Sequence, residues 1–219
     1  MTHKSYARRL GRFTDAQKRA FHKYGEKYLI PFCEEQIDFK KIFDNLNNVT
    51  IEIGFGSGIA TLEIAKANQD KNYIGIEVHR PGIGRLLQEL HNHSLTNVRI
   101  IEYDAVLAVS KMIKSGSLEA VHIFFPDPWP KKRHRKRRLV QRPFTETLAD
   151  CLNKDGYIYM VTDWEDYALH AMEELTLTAN LYNEFEGFAP SQGWRPKTRF
   201  EEKGIAKQHI IRELMFIKS

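Results

Sequence analysis

With 219 residues, 42% of them hydrophobic and 13 of them Phe, the chain has the apolar material of one α/β domain, and its composition excludes a disordered or collagenous protein. Cys33 and Cys151 stand far apart with no C-x-x-C spacing, which excludes a disulfide framework and a cysteine zinc site and points to a reduced, cytoplasmic setting. The net charge of +5 is segregated: residues 131–142 carry eight Lys or Arg and no acid, residues 1–30 carry eight more against Asp15 and Glu26, and the remainder is net acidic. Two cationic segments on an acidic body point to a polyanionic partner. No stretch approaches the roughly 20 apolar residues of a membrane helix, and the opening residues lack the apolar run of a secretory signal.

From residue 49 on, short apolar runs alternate with helix-like stretches. Val49–Ile53 reads as a first strand and Ile59–Ala67 as the helix after it. Tyr73–Val78 is a second strand, and a helix follows from about Pro81, a residue that a first turn tolerates. Val98–Tyr103, Ala120–Phe125 and Tyr157–Val161 read as the third, fourth and fifth strands. Near-continuous apolar strands separated by helices predict an α/β fold with a parallel sheet covered on both faces. The tail departs from this rhythm, and His209–Ile217 is expected to be a last strand in a hairpin with a segment around 182–188. The expected organisation is a basic arm and helix over 1–48 and a single domain over 49–219.

The acids fall in phase with these strands. Gly54 follows the first, and Glu77, Asp104, Asp127 and Asp163 lie near the C-terminal ends of the second to fifth. Ligands of open α/β sheets collect at that edge. Taken singly, each aspartate is better explained as a helix N-cap; four acids in phase favour a site.

Gly54-Phe55-Gly56-Ser57-Gly58 joins the first strand to its helix. Glycine there permits positive φ and close approach of the backbone to a ligand. A dinucleotide fingerprint needs a further glycine where Ile59 stands, which disfavours a nicotinamide dehydrogenase. Glu52 puts a carboxylate in an apolar strand, where an unpartnered charge is expensive. It needs a polar or cationic ligand, or donors from the glycine loop. Glu77 lies at the spacing of an acid that accepts from a ribose diol, and Asp104 is placed to bind an adenine amino group. The set fits an adenosyl ligand without a pyrophosphate, including one that carries a sulfonium. A tight turn with its acid held by backbone amides is the plain structural alternative.

The stretch Phe124-Phe125-Pro126-Asp127-Pro128-Trp129-Pro130 then delivers one carboxylate from an apolar strand, brackets it with prolines and an indole, and runs directly into KKRHRKRR. It couples a candidate reaction centre to a surface suited to phosphates. The nine histidines show no metal spacing, and no metal is assigned.

The pattern E-x-G-x-G-x-G, with an acid after each of the next two strands, resembles the class I S-adenosylmethionine-dependent methyltransferases. IEIGFGSG, GIEVH, FFPDPWPKKRHRKRR, TDWE and TRFEEKG, spread from residue 51 to 204, are together similar to the bacterial tRNA (guanine-N7)-methyltransferase family, as is GRFTDAQ near the N-terminus. The resemblance implies a Rossmann-like fold with a mostly parallel seven-stranded sheet, helices on both faces and an antiparallel C-terminal strand. It implies S-adenosyl-L-methionine as cofactor, held by Glu52, Gly54, Gly56, Gly58, Glu77, Asp104 and Asp127, with Asp127 as the catalytic residue. It assigns Lys131, Asp163, Thr198, Arg199, Phe200 and Glu201 to the substrate, and Arg133, Arg135, Lys136, Arg137 and Arg138 to RNA. The implied reaction methylates N7 of guanine at nucleotide 46 in the tRNA variable loop, with no membrane, no obligate protein partner, and either a monomer or a homodimer. Trp129 and Phe200 each suit base stacking or packing alike, and Trp194 is core or lid.

Two other readings are kept beside it. An exocyclic-amine nucleic-acid methyltransferase carries a D-P-P-aromatic loop, and Asp127-Pro128-Trp129 lacks its second proline. An RNA-binding protein without catalysis would keep the glycine turn and the cationic loop, and would have no need of Asp127, Asp163 and Glu201 together.

Overall fold

The computed structural model describes residues 5, 6, 13–206 and 208–219; the basic side chains Lys4, Arg8, Arg9 and Arg12 of the expected arm lie outside the described residues, as do the side chains of Arg199 and Phe200. Two units make up the chain, one of residues 8–114 with 194–196, the other of residues 1–7, 115–193 and 197–219.

The first unit begins with α1 (Asp15–Tyr28) and the short α2 (Phe39–Phe43). It continues as β1 (Val49–Ile53), α3 (Ile59–Ala67), β2 (Asn72–Ile76), α4 (Arg80–Asn92), β3 (Val98–Ile101) and α5 (Ala105–Met112). β1 pairs in parallel with β2, and β2 with β3. Every residue of β1 and β2 is buried, the burial expected of parallel strands covered on both faces. Thr14 starts α1 with a reciprocal capping box: its hydroxyl accepts from the Gln17 amide at 3.3 Å, and the Gln17 side chain accepts from the Thr14 amide at 2.9 Å. α1 packs on α4. The buried Tyr28 hydroxyl bonds to the carbonyls of Leu90 (3.2 Å) and Leu95 (3.0 Å), and Tyr24 stacks on His91 at 4.0 Å. Past α1, Leu29 bridges Ile100 in parallel, and the Ile30 amide donates to the Ile100 carbonyl at 2.8 Å.

The second unit runs as β4 (Leu118–Phe124), a 3-10 turn over Lys132–Arg137, α6 (Phe144–Cys151), β5 (Leu152–Thr162) and α7 (Glu165–Thr176). β6 (Leu181–Asn183), α8 (Arg199–Ala206) and β7 (Arg212–Lys218) complete it. β4 and β5 are parallel, while β7 is antiparallel to both β5 and β6. The expected C-terminal hairpin is therefore present, with its partner strand shortened to Leu181–Asn183. The seven strands follow the order β3-β2-β1-β4-β5-β7-β6, the mostly parallel sheet with an antiparallel C-terminal margin that the sequence predicts. Among the described residues no helix is long and apolar enough to cross a membrane.

Candidate active site

In the first unit the glycine turn leaves β1 with Gly54 (φ 74°), Gly56 (φ 57°) and Gly58 (φ 75°) all in the left-handed region, which side chains disfavour. The loop is pinned on three sides. The Gly54 amide donates to the Ile76 carbonyl at 2.8 Å, and the Phe55 ring lies where a Cβ on Gly75 would come within 2.6 Å of it. Gly82, in the first turn of α4, passes so close that its Cβ would fall 1.8 Å from the Gly56 carbonyl oxygen. At Gly54 and Gly56, by contrast, an added Cβ would meet open space. One side of the loop is thus packed by backbone and the other is clear.

The acids around this turn have partners of their own. Glu52 is buried, and the Thr61 hydroxyl of α3 donates to it at 2.6 Å. Burial pushes its carboxyl up to about 7; the Thr61 bond draws it down and the Glu77 charge adds to the rise. Glu77 accepts from three backbone amides: Gly56 at 2.8 Å, Val78 at 2.7 Å and His79 at 3.0 Å. A carboxylate offers about four acceptor positions, so capacity for one more donor remains. Asp104 caps α5, accepting from the Leu107 amide at 3.2 Å.

In the second unit β4 ends at Phe124, and the Phe125 amide still donates to the Val161 carbonyl at 2.8 Å. The chain then turns sharply, with Phe125 at φ 50° and Trp129 at φ 45°, on either side of the partly buried Asp127. Non-glycine residues in the left-handed region are uncommon, and such strain concentrates at functional sites. The Trp129 indole donates to the Ser5 carbonyl at 3.0 Å, and the Arg137 guanidinium lies 3.7 Å from the ring centroid. Trp129 is thus held by contacts within this unit.

The cationic run resolves into two kinds of residue. Lys131, Arg133 and Lys136 are exposed. Arg135 is exposed and bonds Asp166 at 2.7 Å, while Arg137 donates to the Tyr6 carbonyl at 3.1 Å. Arg138, expected on the RNA, is only 1% exposed and bonds the Asp166 carboxylate; that assignment is corrected, because a guanidinium buried in this way presents no donor to a phosphate.

Asp163, beyond β5, lies 3.0 Å from His209 Nδ1, and a Cβ on Gly204 of α8 would approach its carboxylate to 3.0 Å. Thr198 and Glu201 form a second capping box at the start of α8: the Glu201 amide donates to the Thr198 hydroxyl at 3.2 Å, and the Thr198 amide to Glu201 at 3.4 Å. Glu201 is 5% exposed. Thr61, Gly82, Asp166 and His209 are the residues that sequence reasoning missed.

The residues 46–214 match a family model described as "Putative methyltransferase". The tRNA (guanine-N(7)-)-methyltransferase of Nitrosomonas eutropha is 45% identical over 216 residues, covering 99% of this chain and 96% of that protein. The enzyme of the same name from Chromobacterium violaceum is 45% identical over 213 residues, covering 97% and 94%. In fold, the chain is similar to the 16S rRNA methyltransferase KamB, with a TM-score of 0.58 at 10% identity over 84% of this chain and 95% of that one. A family match over more than half the chain and near-half identity along almost its whole length place this chain in the tRNA (guanine-N7)-methyltransferase family.

Proposed function

We propose that this chain transfers the methyl group of S-adenosyl-L-methionine to N7 of a guanine in tRNA, at nucleotide 46 of the variable loop, in the cytoplasm. The observation that carries the reading is the corner around Asp127. It is a partly buried carboxylate between two strained non-glycine positions, and a cationic turn follows it directly. Near-full-length likeness to relatives named for methyl transfer to guanine N7 of tRNA supports the reaction and the acceptor.

The first unit fits the donor. The clear side of the glycine loop gives an adenosyl group room against backbone amides. Glu52, pushed up to about 7 by burial, is poised to regain its charge beside a cation. Glu77 and Asp104 serve the ribose and the adenine. S-adenosylmethionine supplies an electrophilic methyl group, whose bond to sulfur breaks as the bond to N7 forms, the electron pair returning to sulfur.

Guanine N7 carries an in-plane lone pair and no proton, so no side chain has to act as a base. Asp127 orients the purine through its N1 and N2 hydrogens and offsets the positive charge arriving on the ring. Asp163, Lys131 and the segment Thr198-Arg199-Phe200-Glu201 hold the substrate. Arg133, Arg135, Lys136 and Arg137 serve the phosphates, whose binding weakens steeply with salt. Exposing the base from folded tRNA costs a few kcal/mol, about the worth of a good stacking platform and several phosphate contacts.

Incubation with labelled S-adenosylmethionine and unmodified total tRNA, followed by nucleoside analysis, is expected to yield N7-methylguanosine. Cleavage of the strand after reduction and aniline treatment maps it to nucleotide 46. A methylated exocyclic amine, or no transfer at all, overturns the reading.

A further inference from the structure

Arg138 ends an unbroken basic stretch, yet its side chain is fully buried. A guanidinium does not shed its proton on burial, so it persists inside a protein only when it finds partners. Here each of its three nitrogens has one. Nε donates to the Pro128 carbonyl at 3.0 Å, Nη1 to the Asp166 carbonyl at 3.3 Å, and Nη2 to the Asp166 carboxylate. The guanidinium lies over the Tyr167 ring, 4.9 Å from its centroid. Tyr167 is itself buried, and its hydroxyl accepts from the Val140 amide at 3.1 Å, which fixes the ring. The hydrogen bond from Arg138 leads the causes that hold the Asp166 carboxyl below its ordinary range, against partial desolvation.

One buried side chain therefore joins two loop ends. Pro128 follows Asp127 directly, and Asp166 lies in the first turn of α7, shortly after Asp163. Three positions of the segment it grips, Pro126, Pro128 and Pro130, have no amide hydrogen to donate. Its backbone is also strained at Phe125 and Trp129. A carbonyl is the natural handle on such a segment, and Arg138 holds the one next to Asp127.

We infer that Arg138 is a positioning residue of the methyl transfer. By fastening the Pro128 carbonyl to the start of α7, it fixes the aim of Asp127 relative to Asp163. The inference rests on the role proposed above for Asp127. It separates Arg138 from its neighbours Arg133 and Lys136, which face solvent and act on the RNA.

The test compares Arg138→Lys, Asp166→Asn and, as the phosphate-contact reference, Arg133→Glu, each in the full chain. Turnover with labelled S-adenosylmethionine is normalised to the fraction that binds S-adenosylhomocysteine in calorimetry. Lysine keeps the charge but cannot hold the carbonyl and the carboxylate together in a fork. Arg138→Lys is expected to lower kcat at saturating tRNA by about tenfold or more, with KM for tRNA and the salt slope within about twofold of the parent. Asp166→Asn is expected to lower kcat in the same sense, and it decides the matter by the same split if Arg138→Lys does not fold. A raised KM with a flatter salt slope, as in Arg133→Glu, would show a phosphate contact and overturn the inference. A lower melting temperature with an unchanged kcat of the folded fraction would show a purely structural role and overturn it too. Failure of the parent enzyme to make N7-methylguanosine strikes instead at the reaction assigned to the chain, and the parent arm of the same assay reads it separately.

Discussion

The unit that is proposed to hold the donor and the unit proposed to hold the nucleic acid solve opposite problems. Around the glycine turn the work is left to backbone: three glycines take left-handed angles at little cost, and Glu77 closes the loop through the Gly56 amide. Around Asp127 the left-handed positions belong to Phe125 and Trp129, where the conformation is costly and has to be held from outside by Arg137 and Arg138. On the proposed assignment, a small invariant ligand would be met by a preset loop, and a large, charged, deformable one by side chains braced against each other. The first half depends on the absence of Cβ atoms, and the second on a network of charged partners.

The sharpest way to break this contrast is at Asp127. Replacement by Ala is expected to lower kcat by about 100- to 1,000-fold, the worth of one well-placed electrostatic partner. S-adenosylhomocysteine affinity by calorimetry should hardly move, and near-normal turnover would remove Asp127 from the chemistry. Next in size is Glu52. Its carboxyl is raised from its unfolded value of 4.5 to about 7, so its contribution to stability is full below the unfolded value and is lost as pH rises through about 7. The loss amounts to about 3 kcal/mol. Thermal unfolding without ligand should show the decline between pH 4.5 and about pH 7 in the parent, and Glu52→Gln should flatten it.

Gly82→Ala follows, because its new methyl would fall 1.8 Å from the Gly56 carbonyl. Forcing that atom in should cost about 1–3 kcal/mol of stability and displace the loop, so donor affinity drops while tRNA affinity holds. Loss of tRNA affinity alone would reverse the division of labour between the units. The smallest effect is expected from Arg133→Glu with Lys136→Glu. Filter binding at several ionic strengths should show weaker tRNA binding and a salt slope reduced by about one per side chain, with donor affinity unchanged.

The first half was legible in the sequence almost residue by residue. β1 and α3 begin and end where the sequence places them, because the glycine turn separates an apolar β-branched run from a run of good helix formers. Both capping boxes, Thr14 with Gln17 and Thr198 with Glu201, were open to reading from the S/T-x-x-E/Q spacing. β7 starts three residues later than its apolar pattern, because the His209 amide is spent on the Gly204 carbonyl at the end of α8. The interior role of Arg138 was hidden for a different reason: a run of like charges reads as one solvated face. Its adjacency to Leu139 and Val140, both buried, was the available sign that the run ends inside the protein. Nothing in the sequence announces the approach of His209 to Asp163, which depends on a fold between residues 46 positions apart.

The margins of the sheet carry their own consequence. β6 is only three residues long, and on the other side Leu29 and Ile30 lie against Ile100 of β3. Among the described residues neither margin offers a long row of open amides and carbonyls, the template on which strands from separate molecules zip together. A ladder shared between two copies of this chain would require β6 to grow past Asn183, or Leu29 and Ile30 to peel away from β3.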